Sequence, residues 1–328
     1  MQSIIVTQHG GPEVLVLQEV ADLPAPGPGQ VLVKLEAAGV NPVETYLRQG
    51  ANNYGVKFPW TPGSDGAGRI EALGAGVEKF HVGQRVYTAG SLTGTYAEKC
   101  LCQEAQVHAL PLAVSFEEGA CIGVPAATAW RALADIAQAK RGETILIHGA
   151  SGGVGLAATQ IAKAAGLFVI GSAGTESGRK AVLDMGADAV VDHHDPGHLE
   201  QAARLAGGGL RNQASGGLHI VLEMLANVNL GNDLQWLARG GRVVVVGSRG
   251  EIAINPRNLM VRDASICGMS LMNVPQDVLA RIHAGLGAML VRRELRLTVG
   301  QVLPLAEAAR AHAEVMKPGA HGNIVLKV

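Results

Sequence analysis

Only four cysteines (100, 102, 121 and 267) occur in 328 residues. They are too few and too scattered for a disulfide framework, so the expected setting is reducing and cytoplasmic. Charge of one sign is not in excess: Lys+Arg number 27 against Asp+Glu 28, a net of −1. That balance leaves no electrostatic footprint for nucleic acid or an acidic membrane surface, and neither is expected as a partner. No apolar run reaches the roughly 18 residues that a transmembrane helix needs. The first residues, Met-Gln-Ser-Ile-Ile-Val-Thr, lack the basic segment and cleavage site of a secretory leader, so none is expected. Aromatic residues make up 3% of the chain, which leaves the core to Ala, Val, Leu and Ile. Glycine, by contrast, is abundant, at 44 residues.

The length allows two domains. Through residue 110 the pattern is β-rich. Short apolar runs (3–7, 14–20, 31–37, 68–73 and 84–87) are separated by Gly and Pro. From about 123 to 265 the rhythm becomes an alternation. Strands are expected at 144–148, 167–172, 189–192, 218–223 and 242–247. Helices are expected at 126–138, 153–165, 177–185, 198–206 and 230–238. Alternating strands and helices imply a parallel sheet covered on both faces. Helices near 276–290 and 304–316 and a strand at 323–328 close the chain. The glycine-rich run 207–217 reads as a loop.

The most informative segment is Thr144-Ile-Leu-Ile-His-Gly-Ala-Ser-Gly-Gly-Val-Gly155. An apolar strand turns through small residues directly into a helical pattern. Free backbone N–H groups and the positive end of the helix dipole then form a site for a diphosphate. It is a variant of the G-x-G-x-x-G dinucleotide turn. The next strand ends Ser172-Ala173-Gly174-Thr175, without the carboxylate that would hydrogen-bond a ribose 2′-OH and repel a 2′-phosphate. Arg179 and Lys180 follow; they either attract a 2′-phosphate or lie on the solvated face of the next helix. The pattern favours NADPH over NADH, with Glu176 as the residue against it.

Further motifs are Gly10-Gly-Pro-Glu-Val-Leu15, Gly39-Val-Asn-Pro-Val-Glu-Thr-Tyr46, Thr61-Pro-Gly-Ser-Asp65, Glu223-Met-Leu-Ala-Asn-Val-Asn-Leu230 and Val246-Gly-Ser-Arg-Gly250. With 148–155 they resemble the zinc-free quinone oxidoreductases of the zeta-crystallin type, in the medium-chain dehydrogenase/reductase superfamily. The resemblance runs essentially from end to end. It implies an α/β fold, with a Rossmann doubly wound parallel sheet domain (124–265) inserted in a β-rich GroES-like catalytic domain (1–123 and 266–328). It implies a homo-oligomer, dimer or tetramer, paired through the edge strand of the nucleotide domain. Ser151, Gly152, Gly153 and Val154 would meet the diphosphate. Gly174 and His193, with Arg179 and Lys180, would lie at the adenosine 2′-phosphate. Asn229, Val246, Gly247, Ser248 and Arg249 follow later strands, and Met269, Ser270 and Leu271 would flank the nicotinamide. Asn41 and Tyr46 would stand beside the nicotinamide as the catalytic pair, although a turn residue before Pro42 and a packing aromatic are ordinary alternatives. His148 is expected to cap its strand rather than act as a base.

Zinc-dependent relatives hold a metal where this chain matches with Asn41, Ser64 and Asp65. Asn and Ser are poor Zn²⁺ ligands and one carboxylate does not hold the ion, so no metal is expected. Two departures from the family stand out: the long run 207–217, and Asn323 where many relatives carry Lys. The resemblance implies NADPH-dependent reduction of quinones. A reductase of conjugated enones, and an NADPH-binding structural or RNA-associated crystallin, remain as alternatives.

Overall fold

The computed structural model describes residues 1–51, 55–207, 216–319 and 321–328. The expected loop at 207–217 falls almost entirely outside the described residues. The chain divides into two compact units: Met1–Pro125 with Gln276–Val328, and Ala126–Pro275.

The first unit begins with a two-stranded ribbon, β1 (Gln2–Ile5) and β2 (Val16–Glu19). Next come β3 (Gln30–Val40), α1 (Pro42–Gln49), β4 (Asp65–Leu73), β5 (Arg85–Ala89), β6 (Lys99–Gln103), β7 (Val107–Ala109) and α2 (Phe116–Gly119). Lys34 and Glu36 face water while the residues around them in β3 are buried, the signature of a strand with one solvated face. The helix α1 is absent from the sequence expectation, which read these residues as part of a β-rich segment. Its signals are nonetheless local. Asn41 sits at the N-cap, Pro42 opens the helix, Glu44 reaches back to the Asn41 N–H at 2.9 Å, and Gly50 closes it in the left-handed conformation.

The second unit comprises α3 (Ala127–Trp130), β8 (Thr144–Ile147), α4 (Gly153–Ala164), β9 (Phe168–Ser172), α5 (Glu176–Asp184), β10 (Ala189–Val191), α6 (His198–Leu205), β11 (Leu218–Glu223), α7 (Ala226–Asp233), β12 (Leu237–Val245), α8 (Arg257–Met260) and β13 (Ser265–Gly268). The helix expected at 126–138 is instead α3 flanked by π-helical turns, Ile122–Ala126 and Arg131–Ile136, the first containing Pro125. Proline lacks the N–H that a regular α-turn would use there. The helix expected at 230–238 ends earlier. Leu230, Leu234 and Leu237 repeat at helical spacing, yet Leu237 pairs with Leu218 and begins β12. The six strands run in the order β10-β9-β8-β11-β12-β13, and every pairing is parallel. Residues 266–275 group with this unit because β13 extends its sheet.

Gly155 through Ala162 of α4 are all buried, which small side chains permit. The core joins Leu146, Ile170, Val191, Leu199, Val221 and Val243. Midway along β12, Arg242 forms a two-armed ion pair with Glu143, with both N···O distances 2.7 Å, and its Nε donates to the Ala137 carbonyl at 2.7 Å.

The chain then returns to the first unit through α9 (Gln276–Val291), β14 (Val299–Pro304), α10 (Ala308–Glu314) and β15 (Asn323–Lys327). β15 joins the sheet beside β3, giving the order β14-β15-β3-β4-β5-β7, with β6 also on β3. One core cluster of this unit unites Ile4, Val6, Val40, Tyr96, Leu303, Ala308 and Leu326, so the two ends of the chain share it.

Replacing Arg242 by Met would leave Glu143 without its partner and the Ala137 carbonyl without its donor. The pair is mostly but not fully buried, so a loss of about 2 kcal/mol is expected, below the range for a wholly buried pair. The check is a lower urea midpoint at unchanged slope.

Candidate functional site

In the second unit the strand order places β8 beside β11. Winding reverses there, and open parallel sheets bind ligands at the carboxyl ends of strands at such a point. The segments expected to hold the cofactor all follow carboxyl ends: 148–155 after β8, 173–180 after β9, 193 after β10, 229 after β11, 246–249 after β12 and 269–271 after β13. Strands paired in parallel bring these ends to one edge.

The helix α4 starts at Gly153, and its N-cap, Gly152, provides no side chain to close the first turn. Ser151 is buried, while Gly152, Gly153 and Val154 are half-buried. The turn is held from behind, where Ala150 N–H donates to the Ser172 carbonyl at 2.9 Å. A Cβ at Gly155 would lie 2.5 Å from the Ala150 Cα and 2.6 Å from the Gly149 carbonyl oxygen, so only glycine lets the helix approach the turn. An uncapped N-terminus opening from a glycine turn fits a diphosphate.

At the adenosine end, Gly174 lies against two imidazoles. A Cβ there would come within 2.6 Å of His193 Nε2 and 2.5 Å of His194 Cε1. Arg179 donates to Asp192 Oδ2 at 2.7 Å and to the Gly174 carbonyl at 3.3 Å, so it sits beside Gly174 with its charge partly balanced. Lys180 is placed differently. Its ammonium is paired with Asp184 one turn along α5, on an exposed face.

Beyond β11 and β12 the chain is tied together by its backbone. Val246 and Gly247 N–H both donate to the Glu223 carbonyl, at 2.9 and 3.2 Å, and Arg249 N–H donates to Asn227 Oδ1 at 2.9 Å. Ser248 Oγ donates to the Gly250 carbonyl at 2.9 Å. Asn229, half-buried, donates through Nδ2 to Glu223 Oε1 at 3.2 Å. Met269, Ser270 and Leu271 are half-buried, with Ser270 Oγ accepting from Met272 N–H. His148 is buried, with Nε2 2.9 Å from Asp233 Oδ1. Sequence reading assigned no role to Asp233, because nothing in the spacing of residues 148 and 233 announces their contact.

In the first unit, Asn41 is buried and its Nδ2 donates to Asp65 Oδ2 at 2.9 Å. Val124 N–H donates to the same oxygen at 3.0 Å, while Asp65 Oδ1 has no hydrogen-bond partner among the described residues. Burial pushes the Asp65 carboxyl up to about 8. Glu44 is also fully buried. It accepts from Asn41 N–H, from Ser64 N–H at 3.1 Å and from the Tyr96 hydroxyl at 2.7 Å. Burial raises its carboxyl to about 7 against the pull of those donors. His312 bridges Tyr96 (3.2 Å) to buried Arg48 (3.1 Å). Glu44 and Asp65 thus fix Asn41 by its backbone and its side chain. Both were visible as motif residues, and the Asn-Pro-x-Glu start of a helix was the overlooked signal for Glu44. Tyr46 is half-buried, and its hydroxyl has no hydrogen bond among the described residues. Asn323 is held at the start of β15 by two bonds to the Thr298 carbonyl.

Residues 27–112 match the alcohol dehydrogenase GroES-like domain, and residues 153–284 match the zinc-binding dehydrogenase family. A quinone oxidoreductase from Sus scrofa is 45% identical over 327 residues, spanning 99% of this chain and 97% of that protein. Among solved structures, an NAD-dependent alcohol dehydrogenase superposes with a TM-score of 0.91 at 29% identity, covering all of both chains. Escherichia coli quinone oxidoreductase, solved with NADPH, does so with a TM-score of 0.86 at 27% identity, again over all of both chains.

Two glycine substitutions separate the ligand turn from the packing behind it. Gly153→Val is expected to abolish the fluorescence enhancement of NADPH while leaving the circular dichroism and melting temperature near the parent. Gly155→Val is expected to lose both, because its side chain has no room against Ala150. Retained NADPH binding in Gly153→Val would remove the diphosphate from this turn.

Proposed function

The chain belongs to the quinone oxidoreductases of the medium-chain dehydrogenase/reductase superfamily, and from that premise we propose that it reduces quinones with NADPH. The observation that carries this reading is the full-length kinship to a quinone oxidoreductase. The glycine turn at the β8/β11 reversal supports the cofactor half of it. Bound NADPH would supply a hydride.

Ser151, Gly152, Gly153 and Val154 hold the diphosphate at the start of α4. Gly174, His193, Arg179 and Lys180 serve the 2′-phosphate, for which Arg179 exchanges Asp192 and Lys180 leaves Asp184. Asn229 and residues 246–249 border the nicotinamide half, with Met269, Ser270 and Leu271 beside the ring. Asn41 and Tyr46 serve the acceptor. Asn41 Nδ2 gives one proton to Asp65, and the second, which leans towards Glu44, would turn to an acceptor oxygen on binding. The Tyr46 hydroxyl is a second donor of the same kind.

The reaction proceeds without zinc. Asn41 and Ser64 are poor ligands, and the one carboxylate between them, Asp65, is engaged by Asn41 and Val124. The acceptor must therefore be electrophilic by its own conjugation, as a quinone is. We propose a reducing, cytoplasmic setting, for which the four scattered cysteines offer no disulfide framework. No helix is long and apolar enough to cross a membrane among the described residues.

β13 is an edge strand with Ser265 and Gly268 exposed, and open edges invite pairing with a second copy. We propose a homo-oligomer, dimer or tetramer, joined there.

The function is tested by NADPH oxidation at the nicotinamide absorbance with a panel of ortho- and para-quinones and conjugated enones. Chelator-resistant turnover of quinones, with NADH much poorer, is the expected result. Turnover of enones alone would replace the substrate class. Light scattering is expected to give a mass of two or four times 33.9 kDa, and a monomer at micromolar concentration would refute the edge pairing.

A further inference from the structure

Three titratable side chains meet inside the second unit, and the proposed reaction uses none of them. His148 follows β8, Glu223 ends β11 and Asp233 ends α7. One ligand atom of each lies within 4.8 Å of the others. Both carboxylates are wholly buried and His148 is 3% exposed. His148 Nε2 is 2.9 Å from Asp233 Oδ1 and 3.6 Å from Glu223 Oε2. The other Glu223 oxygen, Oε1, accepts from Leu225 N–H at 2.5 Å and from Asn229 Nδ2 at 3.2 Å. Two oxygens are left over: among the described residues, Glu223 Oε2 and Asp233 Oδ2 have no hydrogen-bond partner.

Two ionised carboxylates side by side in a buried site are costly unless a cation or a proton compensates them. No Lys or Arg is paired with either among the described residues. β8, β9 and α7 bring no further charged group to the cluster. From α6, the His198 ring stands 6.2 Å from that of His148, and His193 follows β10 beyond it. Arg242, the basic group of β12 nearest to β11, is occupied by Glu143 at the opposite end of the sheet. The His148–Asp233 contact is a hydrogen-bond distance, and in the tautomer whose Nε2–H donates to the carboxylate no lone pair is offered there to a metal. Its Nδ1 then accepts from the Ser172 hydroxyl at 3.4 Å.

We propose that Glu223 and Asp233 share one proton, and that this pair is a positioning device holding Leu225 N–H and the Asn229 carboxamide at the cofactor edge. The shared proton satisfies both orphaned oxygens at once and leaves Glu223 Oε1 free to accept from Asn229. This rests on the reading that NADPH binds at that edge. Burial raises both carboxyls. A raised carboxyl holds its proton more tightly in the folded state, so its contribution is complete at acid pH and is lost as pH rises through the neutral range. Loss of the proton sets two carboxylates against each other. Turning Glu223 away to relieve them releases Asn229.

The test is the NADPH dissociation constant, by fluorescence titration between about pH 6 and 9, with the melting temperature followed in parallel. Wild type, Glu223→Gln and Asp233→Asn are compared, each with and without a chelator. In Glu223→Gln the amide N–H replaces the shared proton and its carbonyl keeps Leu225 and Asn229. The expected result is a wild-type affinity that weakens about tenfold across the range, as a shared proton held one pKa unit more tightly in the complex would give. Glu223→Gln should keep the acid-pH affinity throughout, and the wild-type melting temperature should fall towards alkaline pH relative to that variant. An identical pH profile in wild type and Glu223→Gln would overturn the proposal. So would bound metal by elemental analysis with a melting temperature that drops on chelation, since a cation would then occupy the cluster. If no form binds NADPH, the cofactor reading fails instead, and the melting curves still decide whether the proton is shared.

Discussion

The second unit depends on one close approach, that of α4 to the turn after β8. A helix that starts directly behind a strand leaves its first N–H groups unpaired, and this one has no side chain to cap them. The contact is tight enough that a single Cβ at residue 155 would fill it. Much of the unit follows from keeping that approach open. α4 is built from small residues so that it can lie nearly flush on the sheet, and the turn hangs from Ser172 of the neighbouring strand. The reversal of winding between β8 and β11 leaves space above the turn where a ligand can lie.

The first unit solves a different problem. At positions 41, 64 and 65 this chain has an amide, a hydroxyl and one acid. Buried polar groups need hydrogen-bond partners. Asp65 takes the Asn41 carboxamide and the Val124 N–H. Glu44 takes two backbone N–H groups and a tyrosine hydroxyl, continuing through His312 to Arg48. The result is a rigid seat for Asn41. Its orientation is set by acids that do not themselves need to touch a substrate.

In both units the buried acids act through what they hold. Glu223 receives the chain leaving β11 and, through its carbonyl, the chain leaving β12. These residues stand in motifs, but the partners that lie far along the chain, such as Asp65 for Asn41 and Asp233 for His148, are not shown by any motif. The glycines of the turn are legible because their role is set by immediate neighbours.

Legible in the sequence alone were the alternation of strands and helices from residue 144 onward, the glycine turn after β8 and the family, since each rests on local pattern or on unbroken motifs. It also contained the start and stop of α1, in the cap residues at 41, 42, 44 and 50, within a stretch whose pattern reads as β-rich. What the tertiary structure decided was non-local. Leu237 left a helical pattern to pair with Leu218, because strand pairing outweighed helical spacing once the sheet was assembled. Arg179 went to Asp192 across the fold, a choice that no spacing rule contains, whereas Lys180 took Asp184, its i,i+4 neighbour on α5. His148 met Glu223 and Asp233 only because parallel strands bring their carboxyl ends to one edge. Periodicity and capping act over a few residues and can be read in the chain; burial and charge pairing act across the fold and appear only when it closes.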